Sequence, residues 1–297
     1  MAGLNKGVFD LLRRVANFPT KSSQQMLSSY VYRWFRWFPG APALVRLPTG
    51  VWWLMDADFI CDSIFGKGYE NAESSFMRRF VKPGMTVLDV GAHRGFHSLL
   101  LSKRVGGHGR LLCFEPSPAD AKRLRLHLKI NSCRNAEVFE YALGEDDGSA
   151  DLYTVPKNSV LNSLRPPDTE FQTSTKRVAV RKLDDALSQA HVERVNFVKL
   201  DVEGGELGVL KGAQRLLSST PRPLILCEVL EQRTRPWGYP PRLIIEYLRQ
   251  KGFVWFELND KAKLLPIPST QSEFNGNFVA VPSESLEAVV RQDSPGT

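Results

Sequence analysis

Two stretches of the chain concentrate residues able to hold a nucleoside and to handle a proton. The run Val87-Leu88-Asp89-Val90-Gly91-Ala92-His93-Arg94-Gly95 is an apolar strand that ends in a glycine-bearing turn and opens into a helix. Gly91 and Gly95 lack a Cβ, so the backbone can turn tightly there and approach a ligand closely. In open α/β sheets ligands bind outside the carboxyl ends of the strands, where strand order reverses. Taken alone, the segment reads equally well as a bare strand-to-helix turn. Glu115 separates the two readings. It ends the next apolar run, LLCFEP, 26 positions after Asp89, and an acid closing the second strand is where ribose hydroxyls are held. A carboxylate suits that task because it offers acceptors only; its structural alternative is a helix-start acid before Pro116.

The glycine spacing selects among nucleoside cofactors. Here it is G-x-x-x-G, not the G-x-G-x-x-G that brings backbone onto a dinucleotide pyrophosphate. No G-x-x-x-x-G-K-[ST] phosphate loop occurs anywhere in the chain. S-adenosylmethionine, with a ribose and no phosphate, fits this turn. A nicotinamide-dependent oxidoreductase is the alternative enzyme, disfavoured by the missing glycine.

The second stretch is Lys199-Leu200-Asp201-Val202-Glu203-Gly204-Gly205-Glu206. Lys199, Asp201 and Glu203 alternate along a strand and so project from one face, with Glu203 at or past its carboxyl end. Methyl transfer is mostly a matter of aligning an acceptor lone pair, and a carboxylate that takes the acceptor's proton acts as general base. Asp201 and Glu203 are therefore the catalytic candidates, against the plainer reading of solvated charges at a strand end. His93, whose unperturbed pKa lies near neutrality, is the second choice of base. Asp201, Glu203 and Glu228, the last ending the strand LILCEV, include the oxygen ligands a magnesium ion prefers. No spacing demands an ion, the His93/His97 pair has no third ligand, and no metal is assigned.

These residues need a scaffold that brings strand ends together. Strands are expected at Thr86–Val90, Arg110–Glu115, Val138–Leu143, Asn196–Val202, Leu224–Val229, Phe253–Leu258 and Asn277–Val281. Helical periodicity lies between them: after Gly95, from Ser117-Pro118, over 205–217 and over 241–250. That alternation is the signature of an α/β fold with a mostly parallel sheet. Residues 146–181 interrupt the rhythm and read as an insertion or added hairpin. The expected organisation is a basic aromatic extension over 1–50, lead-in strands and a helix over 51–80, the catalytic domain over 81–282, and a loose polar tail over 283–297.

The blocks VLDVGAHRGFHSLLL, CFEPSPADAKRLRLHLKIN, YALGEDDGSADLY, NSL and VKLDVEGGELGVLKGA, in this order, resemble the FkbM-type S-adenosylmethionine-dependent methyltransferases. The resemblance runs from about Gly68 to Val281. It implies a Rossmann-like seven-stranded methyltransferase sheet, mostly parallel, with helices on both faces and a final antiparallel strand at Asn277–Val281. It also implies methylation of a hydroxyl oxygen on a sugar or small natural product. By the same resemblance, Asp89, Gly91, Ala92 and Gly95 line the methionine end of the cofactor. Glu115 holds the ribose, and Tyr141, Ala142 and Leu143 flank the adenine. His93 stands where the family more often has Asn, and His97 where Tyr is common. Asn162 and Ser163, in the NSL block, are substrate or lid contacts by resemblance and turn residues on a plainer reading; Glu228 is a third substrate candidate.

Charge locates a second property. The chain of 297 residues carries a formal +7. Residues 1–50 hold seven bases (Lys6, Arg13, Arg14, Lys21, Arg33, Arg36, Arg46) against Asp10, so the remainder carries only +1. A nearly neutral catalytic domain lacks the broad basic face of a nucleic-acid methyltransferase. The basic extension, with an amphipathic segment at Val8–Val15 and the run Tyr30–Phe38 (YVYRWFRWF), suits either peripheral contact of residues 1–45 with an anionic bilayer or a helix packed on the protein with its arginines solvated. A binding module for membrane or nucleic acid is accordingly the non-enzymatic alternative. No apolar run approaches the length of a membrane span, and no signal-peptide pattern opens the chain. Four widely spaced cysteines without a C-x-x-C pair fit a reducing, cytoplasmic compartment.

Overall fold

The computed structural model describes residues 22–47, 49–58, 71–268 and 271–293. The described residues fall into two compact units, divided between 69 and 70, with residues 129–132 grouped with the first. In the first unit, helix α1 (Ser22–Trp37) is followed by an antiparallel hairpin of β1 (Ala43–Arg46) and β2 (Trp52–Met55), with Ala43 opposite Met55. The hairpin begins before residue 51, so the expected boundary at 50 cuts through it. Val31 is buried, whereas Tyr32, Arg33, Arg36 and Trp37 are exposed. Spaced i, i+1, i+4 and i+5, these four share one side of α1. The Val8–Val15 segment and Cys61 lie outside the described residues.

The second unit opens with α2 (Asn71–Phe80), β3 (Thr86–Val90), α3 (Phe96–Val105), β4 (Arg110–Phe114), α4 (Pro118–Ile130) and β5 (Ala136–Phe139). A small three-stranded sheet follows, made of β6 (Ala142–Leu143), β7 (Gly148–Thr154) and β8 (Ser174–Arg181), in the order β6-β8-β7. The α/β rhythm then resumes with α5 (Leu183–Gln189), β9 (Phe197–Leu200), α6 (Glu206–Lys211), α7 (Gln214–Ser218) and β10 (Leu224–Val229). The chain continues through α8 (Glu231–Thr234), α9 (Arg242–Gln250), β11 (Phe253–Leu258), β12 (Leu264–Pro266), β13 (Gly276–Pro282) and α10 (Leu286–Asp293).

The main sheet has eight strands in the order β12-β11-β13-β10-β9-β3-β4-β5. Its centre is parallel from β10 to β5, and β13 runs antiparallel between β10 and β11. The chain moves outward through β3, β4 and β5, then returns to β9 on the other side of β3. The switch point, where such sheets bind ligands, is thus the gap above β3 and β9. The short edge strand β12 is an eighth strand beyond the seven expected.

Alternation along these strands divides the core. Leu88, Val90, Leu112, Phe114, Val198, Leu200, Ile225 and Cys227 pack on one face with residues of α5, α6, α7 and α9. The intervening residues face the other way, where Phe76 of α2 meets Phe197 at 6.3 Å between ring centroids. On that second face the strands are apolar low down and polar at their carboxyl ends.

Several expected boundaries move for local reasons. Val138–Leu143 is not one strand: it breaks at Glu140-Tyr141, and Ala142–Leu143 pairs with β8 in the small sheet. The helix expected over 205–217 becomes α6 and α7, because the Asp184 carboxylate accepts the amides of Arg215 (2.6 Å) and Leu216 (3.1 Å) and starts a new helix there. The tail is not loose over 286–293. There α10 buries Val289, and the Asp293 carboxylate pairs with Arg79 at 2.6 Å and accepts the Leu264 amide at 3.1 Å. Residues 294–297 lie outside the described residues.

Candidate active site

The turn after β3 is shaped by close approach of backbone. Gly91 has φ +80°, and a Cβ built there would lie 1.7 Å from the Asp201 carbonyl oxygen at the end of β9. Only glycine lets the two strand ends abut in this way. The amides of Gly91 and Ala92 both reach the Phe114 carbonyl at 3.0 Å, which ties the turn to β4 as well. Asp89 is buried; its Oδ2 accepts the Ser98 hydroxyl at 2.5 Å. Its Oδ1 is buried with no hydrogen-bond partner among the described residues, an arrangement that structures rarely leave without a ligand or water.

Glu115 sits at the next strand end and braces the same turn. Its Oε2 accepts the His93 amide and its Oε1 the Ser117 amide, each at 2.8 Å. Each oxygen keeps a second lone pair, so the carboxylate can also take two hydroxyl protons. Burial, reinforced by the negative charge of Asp120, pushes its pKa up to about 8. Tyr141 packs its ring against Phe114 and Phe139, and its hydroxyl is buried without a partner among the described residues. Ala142 and Leu143 are buried beside it in β6.

A polar network fastens the inserted segment over this turn. Asp120 accepts Arg94 Nε and Asn162 Nδ2, both at 3.0 Å. Ser159, in a single helical turn of Ser159–Leu161, meets His93 Nε2 at 2.9 Å and Arg94 at 3.0 Å. The His93 ring is therefore turned toward the insertion. Asn162 and Ser163 direct their polar atoms into the framework, since Asn162 Oδ1 accepts the Val155 amide at 2.9 Å and Ser163 donates to the Glu203 carbonyl at 3.0 Å.

Strand register assembles the acids. Asp89 lies opposite Lys199, Lys199 opposite Leu226, and Glu228 opposite Asn277. Their shared face carries a small cavity of about 30 Å³ whose walls include Glu73, His97, Lys199, Asp201, Glu228 and Asn277. Lys199 Nζ donates to Asp201 Oδ2 at 2.8 Å. The carboxylates of Asp201, Glu203 and Glu228 each bring an oxygen within 4.8 Å of the others. His93 is not among them.

Glu203 occupies a left-handed conformation, φ +57°, a cost of roughly 1–3 kcal/mol that persists only where the surroundings impose it. Those surroundings are visible. Its carbonyl accepts Ser163 and, at 3.2 Å, Trp237 Nε1, and the next carbonyl, of Gly204, accepts the Tyr239 hydroxyl at 2.5 Å. The Glu203 carboxylate lies 2.7 Å from Arg233 Nε but misaligned for a hydrogen bond, so the contact is an ion pair. Burial, then the charge of Asp201, raises the Glu203 pKa well above the carboxylate range; burial does the same to Glu228. Glu206 accepts the amides of Val202 and Gly204, and burial lifts its pKa to about 7.

The model of the methyltransferase FkbM domain matches residues 89–255, more than half of the chain. This protein belongs to the FkbM methyltransferase family. Its FkbM domain thus includes both glycine-bearing turns, every acid of the cluster and the inserted small sheet. Among curated relatives, Methyltransferase 1 of Beauveria bassiana is 29% identical over 143 residues, 42% of this chain and 57% of that protein. The 2-O-methyltransferase NoeI of Sinorhizobium fredii is 28% identical over 182 residues, 56% of this chain and 72% of that protein. The hexuronic acid methyltransferase AglP of Haloferax volcanii is 31% identical over 132 residues, 44% of this chain and 51% of that protein. The chain thus spans little more than half the length of two of these relatives.

The main residues that sequence reasoning missed are the partners of the FkbM motif. Arg94 and Asp120 flank motif residues and read locally as a solvated base and a helix-start acid. Trp237 and Tyr239, in W-G-Y after α8, carried no local signal beyond aromatic character.

Proposed function

We propose that this FkbM protein transfers the methyl group of S-adenosylmethionine to a hydroxyl oxygen of a sugar or small natural-product acceptor. The observation that carries the reading is the juxtaposition at the switch point: Gly91 against Asp201, with Glu115 on one side and the Asp201–Glu203–Glu228 cluster on the other. The cofactor supplies an electrophilic methyl group on a positively charged sulfur. Glu115 would accept its ribose hydroxyls, the orphaned Asp89 Oδ1 would take its ammonium group, and Tyr141, Ala142 and Leu143 would flank its adenine. Gly91, Ala92 and Gly95 provide the backbone clearance.

Asp201 and Glu203 would orient the acceptor hydroxyl. On methyl transfer, which would leave S-adenosylhomocysteine, the acceptor hydroxyl would give up its proton to one of these carboxylates. Glu203, whose burial raises its proton affinity above that of an ordinary carboxylate, suits that proton best. His93 is better placed to hold the insertion than to serve as base. We assign no metal, because Lys199 and Arg233 already supply positive charge to the acids. Two relatives support the acceptor class by name, as a 2-O-methyltransferase and a hexuronic acid methyltransferase. Nucleic acid is not a partner on this reading. The test is transfer of label from S-adenosylmethionine to a panel of sugars and polyols. Asp201→Asn and Glu203→Gln should lower turnover by ~10²–10⁴ while S-adenosylhomocysteine binding stays within a few-fold. Normal turnover in both would remove them from the mechanism.

A second reading concerns place. The exposed side of α1 presents Tyr32 and Trp37 with Arg33 and Arg36, a combination suited to an anionic bilayer surface. Among the described residues no helix is long and apolar enough to cross a membrane. Cys113, Cys133 and Cys227 are free thiols, as a reducing cytoplasm would keep them. Arg33→Glu with Arg36→Glu should abolish sedimentation with phosphatidylserine vesicles; unchanged sedimentation would leave α1 a structural helix.

A further inference from the structure

A cavity of about 110 Å³ opens beside Glu203, walled by the inserted segment, by α8 and by the chain just after it. A single water needs only about 10–15 Å³ of such space, so the cavity has room for a charged substituent together with water. Three arginines line it: Arg165, Arg233 and Arg235. Arg233 is committed to Glu203. Arg235 pairs with Asp168 at 3.0 Å, with both side chains mostly exposed, and such a pair is weak enough to be exchanged for a ligand. Arg165 has no carboxylate partner among the described residues; one Nη donates to the adjacent Leu164 carbonyl at 3.2 Å.

Arg165 is nevertheless held in place. Its guanidinium lies over the Trp237 ring, 4.7 Å from the centroid, and stacking leaves the in-plane N–H donors free to point outward. The same indole donates its N–H to the Glu203 carbonyl. One rigid ring therefore fixes both the unpaired cation and the turn that bears the candidate base. The Arg165 amide also donates to Ser163 Oγ at 3.3 Å, and Ser163 in turn donates to the Glu203 carbonyl. Pro166, Pro167 and Pro236 stiffen the walls.

We propose that this cavity is the anchoring pocket of the acceptor and that it takes an anionic substituent, a carboxylate or a phosphate, lying near the hydroxyl to be methylated. The inference rests on the methyl-transfer reading above and narrows its acceptor to a negatively charged sugar-like molecule. Arg165 receives the anion through charge-assisted hydrogen bonds, Arg235 can swing from Asp168 to join it, and Glu203 stays at the reacting hydroxyl.

The test uses the full chain saturated with S-adenosylhomocysteine and three calorimetric probes: methyl glucuronoside, a hexose phosphate and methyl glucoside. The glucuronoside or the phosphate, or both, should bind at least ~10-fold more tightly than the neutral glucoside, and the arm that binds tighter identifies the anion. Arg165→Gln should erase that preference and Arg165→Lys should keep part of it, with S-adenosylhomocysteine affinity unchanged in both. Equal binding of all three probes, binding of none, or an unaltered preference in Arg165→Gln would overturn the pocket assignment. Failure of the unsubstituted protein to bind S-adenosylhomocysteine would instead strike at the methyl-transfer reading itself.

Discussion

Glu115 makes cofactor affinity depend on pH in a way that can be worked out beforehand. In the free protein its carboxyl group is buried and titrates near 8, far above an ordinary glutamate. Ribose hydroxyls need the ionised form, which accepts their protons while still accepting the amides of His93 and Ser117. If the ionised form alone binds, affinity for S-adenosylhomocysteine should rise about tenfold per pH unit below 8, or ~1.4 kcal/mol for each unit, and level off above it. Glu115→Gln removes the titration and one acceptor. One ribose hydroxyl then meets an NH2 group in place of an acceptor, at a cost of about 1–3 kcal/mol, so binding should weaken by roughly 10- to 100-fold at pH 8 and lose its slope. Isothermal titration at pH 6, 7, 8 and 8.5 reads both effects. A flat profile in the unsubstituted protein, or a Gln variant that binds as tightly at pH 8, refutes the assignment of Glu115 to the ribose.

Other outcomes follow from the same geometry. In the cofactor-free protein, Glu115 and Glu206 have pKa values raised to about 8 and about 7. The stability this gives is complete at low pH and is lost as pH rises through those values, so Tm should fall from pH 5 to 8 while cofactor affinity rises. Asp120→Asn removes the second cause of the Glu115 shift and should move the midpoint of the affinity profile to lower pH; it should also speed proteolysis of residues 155–173, because Asn162 loses its acceptor charge. Gly91→Ala forces a Cβ to within 1.7 Å of the Asp201 carbonyl at φ +80°; left-handed strain and overpacking together cost ~2–5 kcal/mol, measurable by urea unfolding. Turnover should rise with pH above the usual carboxylate range as Glu203 ionises, and Glu203→Gln should flatten that limb.

Much of this arrangement was legible in the sequence because its signals are local. The strand ending at Val90, the glycine turn and Glu115 lie within one β-turn-α-β unit, and their spacing carries the topology with it. Alternation along the strand pairs Lys199 with Asp201, but β9 ends at Leu200, short of the expected Val202, and Glu203 joins the acids from a left-handed turn, φ +57°, that no alternation announces. The convergence of Glu228 with Asp201 was accessible only as a conjecture, since it depends on parallel pairing of two separate strands. What stayed hidden is long-range. Asn277 reaches Glu228 through an antiparallel register that no nearby residue announces, and Trp237 bridges Arg165 to Glu203 across two loops. The N-S-L segment reads as a ligand contact, yet Asn162 and Ser163 spend their hydrogen bonds on Asp120, Val155 and Glu203. The helix over 286–293 was invisible because its anchor, Asp293, is stabilised by Arg79 and the Leu264 amide from distant elements.

A thermal-shift titration with S-adenosylhomocysteine and, in parallel, NADH tests the central assignment most directly. At ~100 times its Kd a ligand stabilises the folded state by ~2.7 kcal/mol. S-adenosylhomocysteine should raise Tm in the unsubstituted protein and fail to do so at the same concentration in Glu115→Ala, with NADH inert in both. A shift with NADH and none with S-adenosylhomocysteine would contradict the account.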